Sequence, residues 1–258
     1  MTALAFDRPR LSWRAAIADR FVEADHARPA TLRLPRGALT LCFDDFTQAA
    51  AITGAAALER VEARGTFFVS AGRMGAVEPG LGPLYTDEDV RRLAGAGHEI
   101  GCAAYEAGDL SVLEPEEALS QCARNTIELA LLGLKRTPRT FAYPKGRVSR
   151  SLKHALPADF VAARGQSPGL NQDRVDMAQL KAFPFFGWAA LDPLLAALDR
   201  ADRNRAWMII ALRDVANEPS AYGAPTGALG TLLRKARALK LDILPLADVA
   251  DRILAAQR

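Results

Sequence analysis

Two hydrophobic periods alternate along this chain. Short runs of apolar, β-branched or aromatic residues predict strands at 39–43, 65–69, 140–143, 160–163, 207–212 and 241–244, with a weaker one at 98–101. Between them, apolar residues recur at helical spacing over 49–63, 87–96, 115–132, 192–199, 229–239 and 246–255. The helix ends carry their own chemistry. Thr86 precedes Asp87, Glu88 and Asp89, an N-cap followed by acids that suit the positive end of a helix dipole. Pro115 is placed to open a helix, and Gly95 and Gly97 to stop the one before His98. Seven strands alternating with helices predict a parallel β/α architecture.

The chain shows no Gly/Ser-rich linker, internal repeat or low-complexity tract, so one domain is the economical reading. Residues 1–35 are expected to form an N-terminal arm, irregular or a short helix on the outside, and 36–258 the β/α domain. An open sheet and a distorted barrel both satisfy the pattern. At 258 residues and 50% hydrophobic, the chain is long and apolar enough for one large core. The 33 Lys and Arg against 30 Asp and Glu give +3 with no long run of one sign, so nothing points to nucleic acid. No stretch approaches the roughly 18 apolar residues of a membrane span. The first residues lack a basic region followed by an apolar one, and a cytoplasmic address is the expectation. Cys42, Cys102 and Cys122 form no C-x-x-C pair and are expected to be buried thiols without a disulfide framework.

In a parallel barrel the chemistry sits at the C-terminal ends of the strands. After the first strand stand Asp44 and Asp45, adjacent carboxylates that are costly to bury unpaired. They suit a metal ligand and a general base. They equally suit a helix cap (Asp45) and a surface contact (Asp44). The third strand leads into Gly101 through Asp109, and the fourth into Tyr143-Pro144-Lys145-Gly146-Arg147, where Pro and Gly force a turn. The sixth leads into Arg213-Asp214-Val215 and then 219–223.

In this order the blocks resemble the polysaccharide deacetylases of NodB-like homology, carbohydrate esterase family 4. Leu41 through Phe46 resembles that family's T-F-D-D-G block, and Gly97-His98-Glu99-Ile100-Gly101 its G-H-E-I-G lead-in. Phe141 through Gly146 is similar to its F-A-Y-P-Y-G motif, and 209–215 with 219–223 to the block around its last catalytic histidine. The resemblance spans roughly 36–250. It implies an α/β fold, a single-domain distorted (β/α) barrel of about seven parallel strands. It also implies removal of N-acetyl groups from sugars by a divalent metal, usually zinc, held by one aspartate and two histidines. Asp44 would then be the general base and Asp45 a metal ligand.

The sequence departs from that pattern where the metal belongs. The two histidine positions, four apart, are Ala103 and Ala107, and Arg213 occupies the place of the general-acid histidine. Lys145 replaces the tyrosine of the third motif, whose backbone N–H helps form the oxyanion hole and survives the change. The chain has three histidines, His26, His98 and His154, none at a motif position. His98 is expected to be structural and His154 to lie at the surface. One carboxylate is a poor zinc site, which normally needs three protein ligands. Glu106 and Asp109 could rebuild one of oxygens for a harder ion. Asp44, Asp45, Lys145 and Arg213 are expected to converge at one mouth, with Tyr143, Pro144, Gly146 and Asp214 as further ligand-binding residues. Trp188 is expected to be either a sugar-stacking platform or a core residue. Arg213 is expected to stand in for the metal by pairing with Asp45 or Asp44, or to hold an anionic group together with Lys145.

The leading expectation is therefore a divergent relative without a metal or other cofactor, binding a glycan or glycan precursor, with a protein partner in polysaccharide biosynthesis as a further expectation. The alternatives are an active hydrolase of N-acetylated amino sugars with Asp44 as base, and a different Asp44-dependent reaction on the same barrel.

Overall fold

The computed structural model describes residues 20–257; positions 1–19 of the arm expected over 1–35 lie outside them. Eight strands form one wholly parallel sheet: β1 (Ala38–Asp44), β2 (Thr66–Val69), β3 (Glu99–Cys102), β4 (Thr140–Ala142), β5 (Ala162–Arg164), β6 (Phe183–Pro184), β7 (Trp207–Leu212) and β8 (Asp242–Ile243). The order is β6-β7-β1-β2-β3-β4-β5, with β8 beside the start of β1. A bridge from Arg164 to Leu180 carries hydrogen bonding from β5 into the segment that becomes β6, so the ring closes as a distorted (β/α) barrel. All seven expected strands form. The eighth, Phe183–Pro184, is two residues long and leaves no periodicity to read.

The strands are buried on both faces, and their period of two sorts neighbours into different cores. Leu39, Leu41, Phe43, Met208, Ile210 and Leu212 face outward against the helices. Ala38, Cys42, Phe68, Trp207, Ile209 and Ala211 belong to a second cluster inside the barrel. The outer layer includes α1 (Ala55–Glu59), α2 (Asp87–Gly95), α3 (Pro115–Leu131), α4 (Arg150–Ala155), α5 (Leu191–Arg203), α6 (Thr226–Ala238) and α7 (Leu246–Ala255). The capping of α2 is as the sequence implies: Thr86 and Asp89 form a reciprocal capping box. The helix expected over 49–63 is instead a π-helical turn, Ala50–Gly54, running into α1. Gly54 lies on the Phe43 ring, where a Cβ would come within 2.6 Å. The helix ends early because Glu62 turns to φ 54° and the Ala63 N–H bonds back to Leu58.

α7 seals the N-terminal end of the barrel. Its first backbone N–H groups donate to Thr66 Oγ1 (2.8 Å) and Glu99 Oε2 (3.0 Å). At the other end, the strand C-termini open into a cleft. Residues 20–35 help to build it: Pro29–Thr31 pairs antiparallel with Arg174–Asp176, and Val22 and Glu23 line the cleft wall. The three cysteines are free and buried. No helix is long and apolar enough to cross a membrane among the described residues.

Candidate functional site

The cleft encloses about 540 Å³. β1 delivers Asp44 and Asp45 to its floor, β3 delivers Ala103, and the turn after β4 supplies Tyr143, Pro144, Lys145 and Gly146. Arg213 follows directly from β7. Strand ends of a parallel barrel converge by construction, so residues far apart in sequence meet here.

Each aspartate has a cation, and neither cation is Arg213. The Asp44 carboxylate pairs with the guanidinium of Arg164, the last residue of β5. That side chain is 0% exposed against 17% for Asp44. It lies inside the barrel over the Phe68 ring, 5.2 Å from the centroid. Its Nη1 donates to the Gly165 carbonyl at 3.0 Å, while its Nε has no hydrogen-bond partner.

Asp45 sits at φ 38°, a left-handed conformation that aspartate tolerates better than most residues. The turn aims its carboxylate down at Tyr85, whose hydroxyl donates to Oδ1 at 3.0 Å and accepts from the Ser70 N–H at 2.8 Å. Arg73 Nη1 reaches Oδ2 at 3.3 Å. Burial pushes the Asp45 carboxyl above its ordinary range, against the pull of Arg73, Arg213 and the Tyr85 hydrogen bond.

Arg213 has another partner, Glu78. Its Nη1 and Nη2 meet the two oxygens of Glu78 at 2.7 and 2.6 Å. Arg73 Nη2 reaches the same carboxylate at 2.6 Å. The Arg213 bonds, with Arg73 adding to them against the effect of burial, hold Glu78 down at about 2. Arg213 Nε and Nη2 also donate to the main-chain carbonyls of Asp44 and Asp45, both at 3.2 Å. The expectation that Arg213 pairs with one of the aspartates is therefore corrected: it binds their carbonyls, and Arg164 and Arg73 bind their carboxylates.

Other expectations are placed as follows. Tyr143 is buried at the cleft with its hydroxyl on the Ala178 carbonyl (2.9 Å). Lys145 holds φ 54° in the turn, with an exposed side chain. Asp214 lies outside the cleft: its carboxylate accepts from Thr47 Oγ1 (2.7 Å) and the Ser220 N–H (2.8 Å), tying two loops together. Trp188 is not a core residue. It is 60% exposed at the start of α5 and does not line the cleft. The aromatic wall is Phe186 and Tyr222, perpendicular rings 5.9 Å apart beside Arg213. His98 is structural, accepting from the Gly65 N–H and touching Glu59 at 3.1 Å each, and burial lowers its pKa. His154 is a partly exposed partner of Asp25.

The donor set does not fit the zinc that the resemblance implies. Ala103 and Ala107 offer methyl groups to the cleft, and Asp45 is engaged by Tyr85 and Arg73. Asp109 caps its own turn through Ser111 and lies 3.5 Å from Arg147, while Glu106 faces solvent. Among the described residues no three His, Cys, Asp or Glu side chains are grouped to hold a metal ion. Sequence reasoning missed Arg164, Arg73, Glu78 and Tyr85. None stands in a motif, and only the buried charge of Asp44 and Asp45 demanded that such partners exist.

Comparison with known proteins agrees with this architecture. A proposed polysaccharide deacetylase from Mycobacterium smegmatis superposes with TM-score 0.68 at 14% identity, covering 90% of this chain and 96% of that one. Bacillus subtilis PdaA, a family 4 carbohydrate esterase, gives 0.57 at 11% identity over 96% and 91%. The Bacillus anthracis protein BA3943, described as a family 4 pseudoenzyme, gives 0.56 at 13% over 84% and 66%. At these identities the likeness establishes the fold. No curated protein sequence matches the chain. A family model described as polysaccharide deacetylase matches residues 31–158, the stretch that carries both aspartates, the two alanines and the Tyr143 turn. Over residues 31–158, within a barrel of the same fold, the chain matches the polysaccharide deacetylase family.

Proposed function

We propose that this chain binds a glycan or glycan precursor in its cleft and has lost the metal-dependent deacetylation of its family. One observation carries the reading: the retained ligand position, Asp45, is turned into a buried bond with Tyr85 and an ion pair with Arg73. With alanine at 103 and 107, the site holds its charge by arginines. A metal ion would have to displace Arg73 from Asp45, in a cluster where Arg73, Arg164 and Arg213 already balance the charges of Asp44, Asp45 and Glu78. The cleft itself is retained, with aromatic faces at Phe186 and Tyr222 that suit a pyranose ring and polar groups around them. One similar structure is described as a family 4 pseudoenzyme, so the fold is compatible with loss of catalysis.

The test is metal content after exposure to zinc, cobalt and manganese, together with acetate release from chitotetraose. We expect saccharide binding with no stoichiometric metal and no acetate. Near one ion per chain with acetate release would overturn the proposal. A second reading rests on Asp44, which faces the cleft and is fixed by Arg164. It is placed to act as a general base without metal. Metal-free acetate release abolished by Asp44→Asn would move the assignment to that reading.

A further inference from the structure

We propose that Arg73 and Arg213 form a recognition site for a carboxylate carried by the saccharide, and that Glu78 is its resident intramolecular competitor. The inference rests on the reading that the cleft takes a glycan. Both guanidinium groups are held from behind by bonds that do not involve Glu78. Arg213 is fixed by the Asp44 and Asp45 carbonyls at 3.2 Å, and Arg73 by Asp45 Oδ2 at 3.3 Å. Three further N–H groups, two from Arg213 and one from Arg73, converge on one carboxylate at 2.6–2.7 Å. That planar, multidentate arrangement is the one arginines use to recognise carboxylates.

The cations and the anion differ in how they are mounted. Arg213 follows the central strand β7, and Arg73 ends the short turn after β2. Glu78 rides on a small hairpin, Val77–Glu78 paired with Gly82–Pro83. Gly75, Gly80 and Gly82 around it have positive φ and open space where a Cβ would stand, and Val77 is 73% exposed. Leu81 is the one residue of the hairpin buried in the core, and Val77, Pro79, Gly80 and Pro83 are exposed, so movement of the hairpin disturbs a single apolar side chain and the two arginines stay in place when Glu78 leaves. Phe186 and Tyr222 line the cleft with Arg213, where a stacked sugar ring could present a carboxylate to the guanidinium groups. The ligand class is therefore a uronate or another carboxylate-bearing sugar. Its apparent affinity is reduced by the fraction of molecules in which Glu78 occupies the site.

Binding of methyl β-D-glucuronide tests this, with methyl β-D-glucoside as the uncharged twin and glucose 1-phosphate as the phosphate source. Glu78→Gln should bind the glucuronide about tenfold more tightly than wild type, with the glucoside unchanged. Adding Arg213→Gln should abolish the gain. Equal affinity in wild type and variant, a gain shared by the glucoside, or a larger gain for the phosphate would each overturn the proposal. Should the variant fold poorly, hydrogen exchange in wild type decides. The Leu84 amide, bonded to the Ala76 carbonyl at 2.8 Å at the hairpin's base, should exchange faster with the glucuronide present than with the glucoside. Unchanged exchange overturns it. Chitotetraose separates the two proposals: its failure to bind while the glucuronide gain persists sinks the neutral-glycan reading alone, and the converse sinks this one.

Discussion

Removing the charge of Asp44 should damage the fold more than removing that of its partner Arg164. Arg164 is fully enclosed by the barrel, keeps its proton at any working pH, and already has an unpartnered Nε. Asp44→Ala therefore strands a buried cation that can neither reach water nor neutralise, and the expected cost is about 3–5 kcal/mol. Arg164→Met replaces the cation by an apolar chain beside Phe68 and Cys42. It leaves a carboxylate whose side chain is 17% exposed to the cleft, so the expected cost is about 1–3 kcal/mol. Because the two groups contact each other, the double variant should cost less than the sum of the singles, by about 2–3 kcal/mol. Equilibrium urea unfolding at neutral pH on the four proteins reads all of these. An Asp44→Ala cost within 0.5 kcal/mol of wild type, or an additive double variant, would refute the claim that this pair carries the floor of the cleft.

Three further outcomes follow from the same geometry. Gly101 lies against the Phe68 ring, where a Cβ would come within 2.5 Å, so Gly101→Ala should lower stability by about 1–3 kcal/mol in thermal melts. An unperturbed melting temperature would mean the ring can move aside. Glu78 should add a pH dependence of definite sign. Its folded value of about 2 lies below the ordinary 4.5, so its contribution is present above 4.5 and lost as pH falls towards 2. The ceiling is about 3 kcal/mol, cut to about 1–2 kcal/mol by water around the partly exposed hairpin. Glu78→Gln should flatten that limb of the stability profile, and an unchanged limb would count against it. Ala103→His with Ala107→His should not by itself build a zinc site, since Tyr85 and Arg73 still hold Asp45. Adding Arg73→Gln should raise zinc affinity by about tenfold or more, measured by competition with a chelator. Tight zinc binding by the histidine pair alone would contradict the role given to Arg73.

Local pattern sufficed for the barrel, because strand and helix periods and caps such as Thr86 act within a few residues. It also sufficed to place Asp44, Asp45, Lys145 and Arg213 at one mouth, since parallel strands must end together. Motif order carried the family. The electrostatic wiring was a different matter. Arg164 stands just beyond the apolar run that announced its strand, and Glu78 lies in a Gly- and Pro-rich turn that reads as solvent. Which guanidinium meets which carboxylate depends on the inward or outward register of β5, on the left-handed turn at Asp45 and on a hairpin folding over the mouth. Those are long-range facts, settled by a few ångströms. Composition shows that the buried aspartates need cations. Only the packed barrel decides that Arg164 and Arg73 supply them, and that Arg213 is left to hold Glu78.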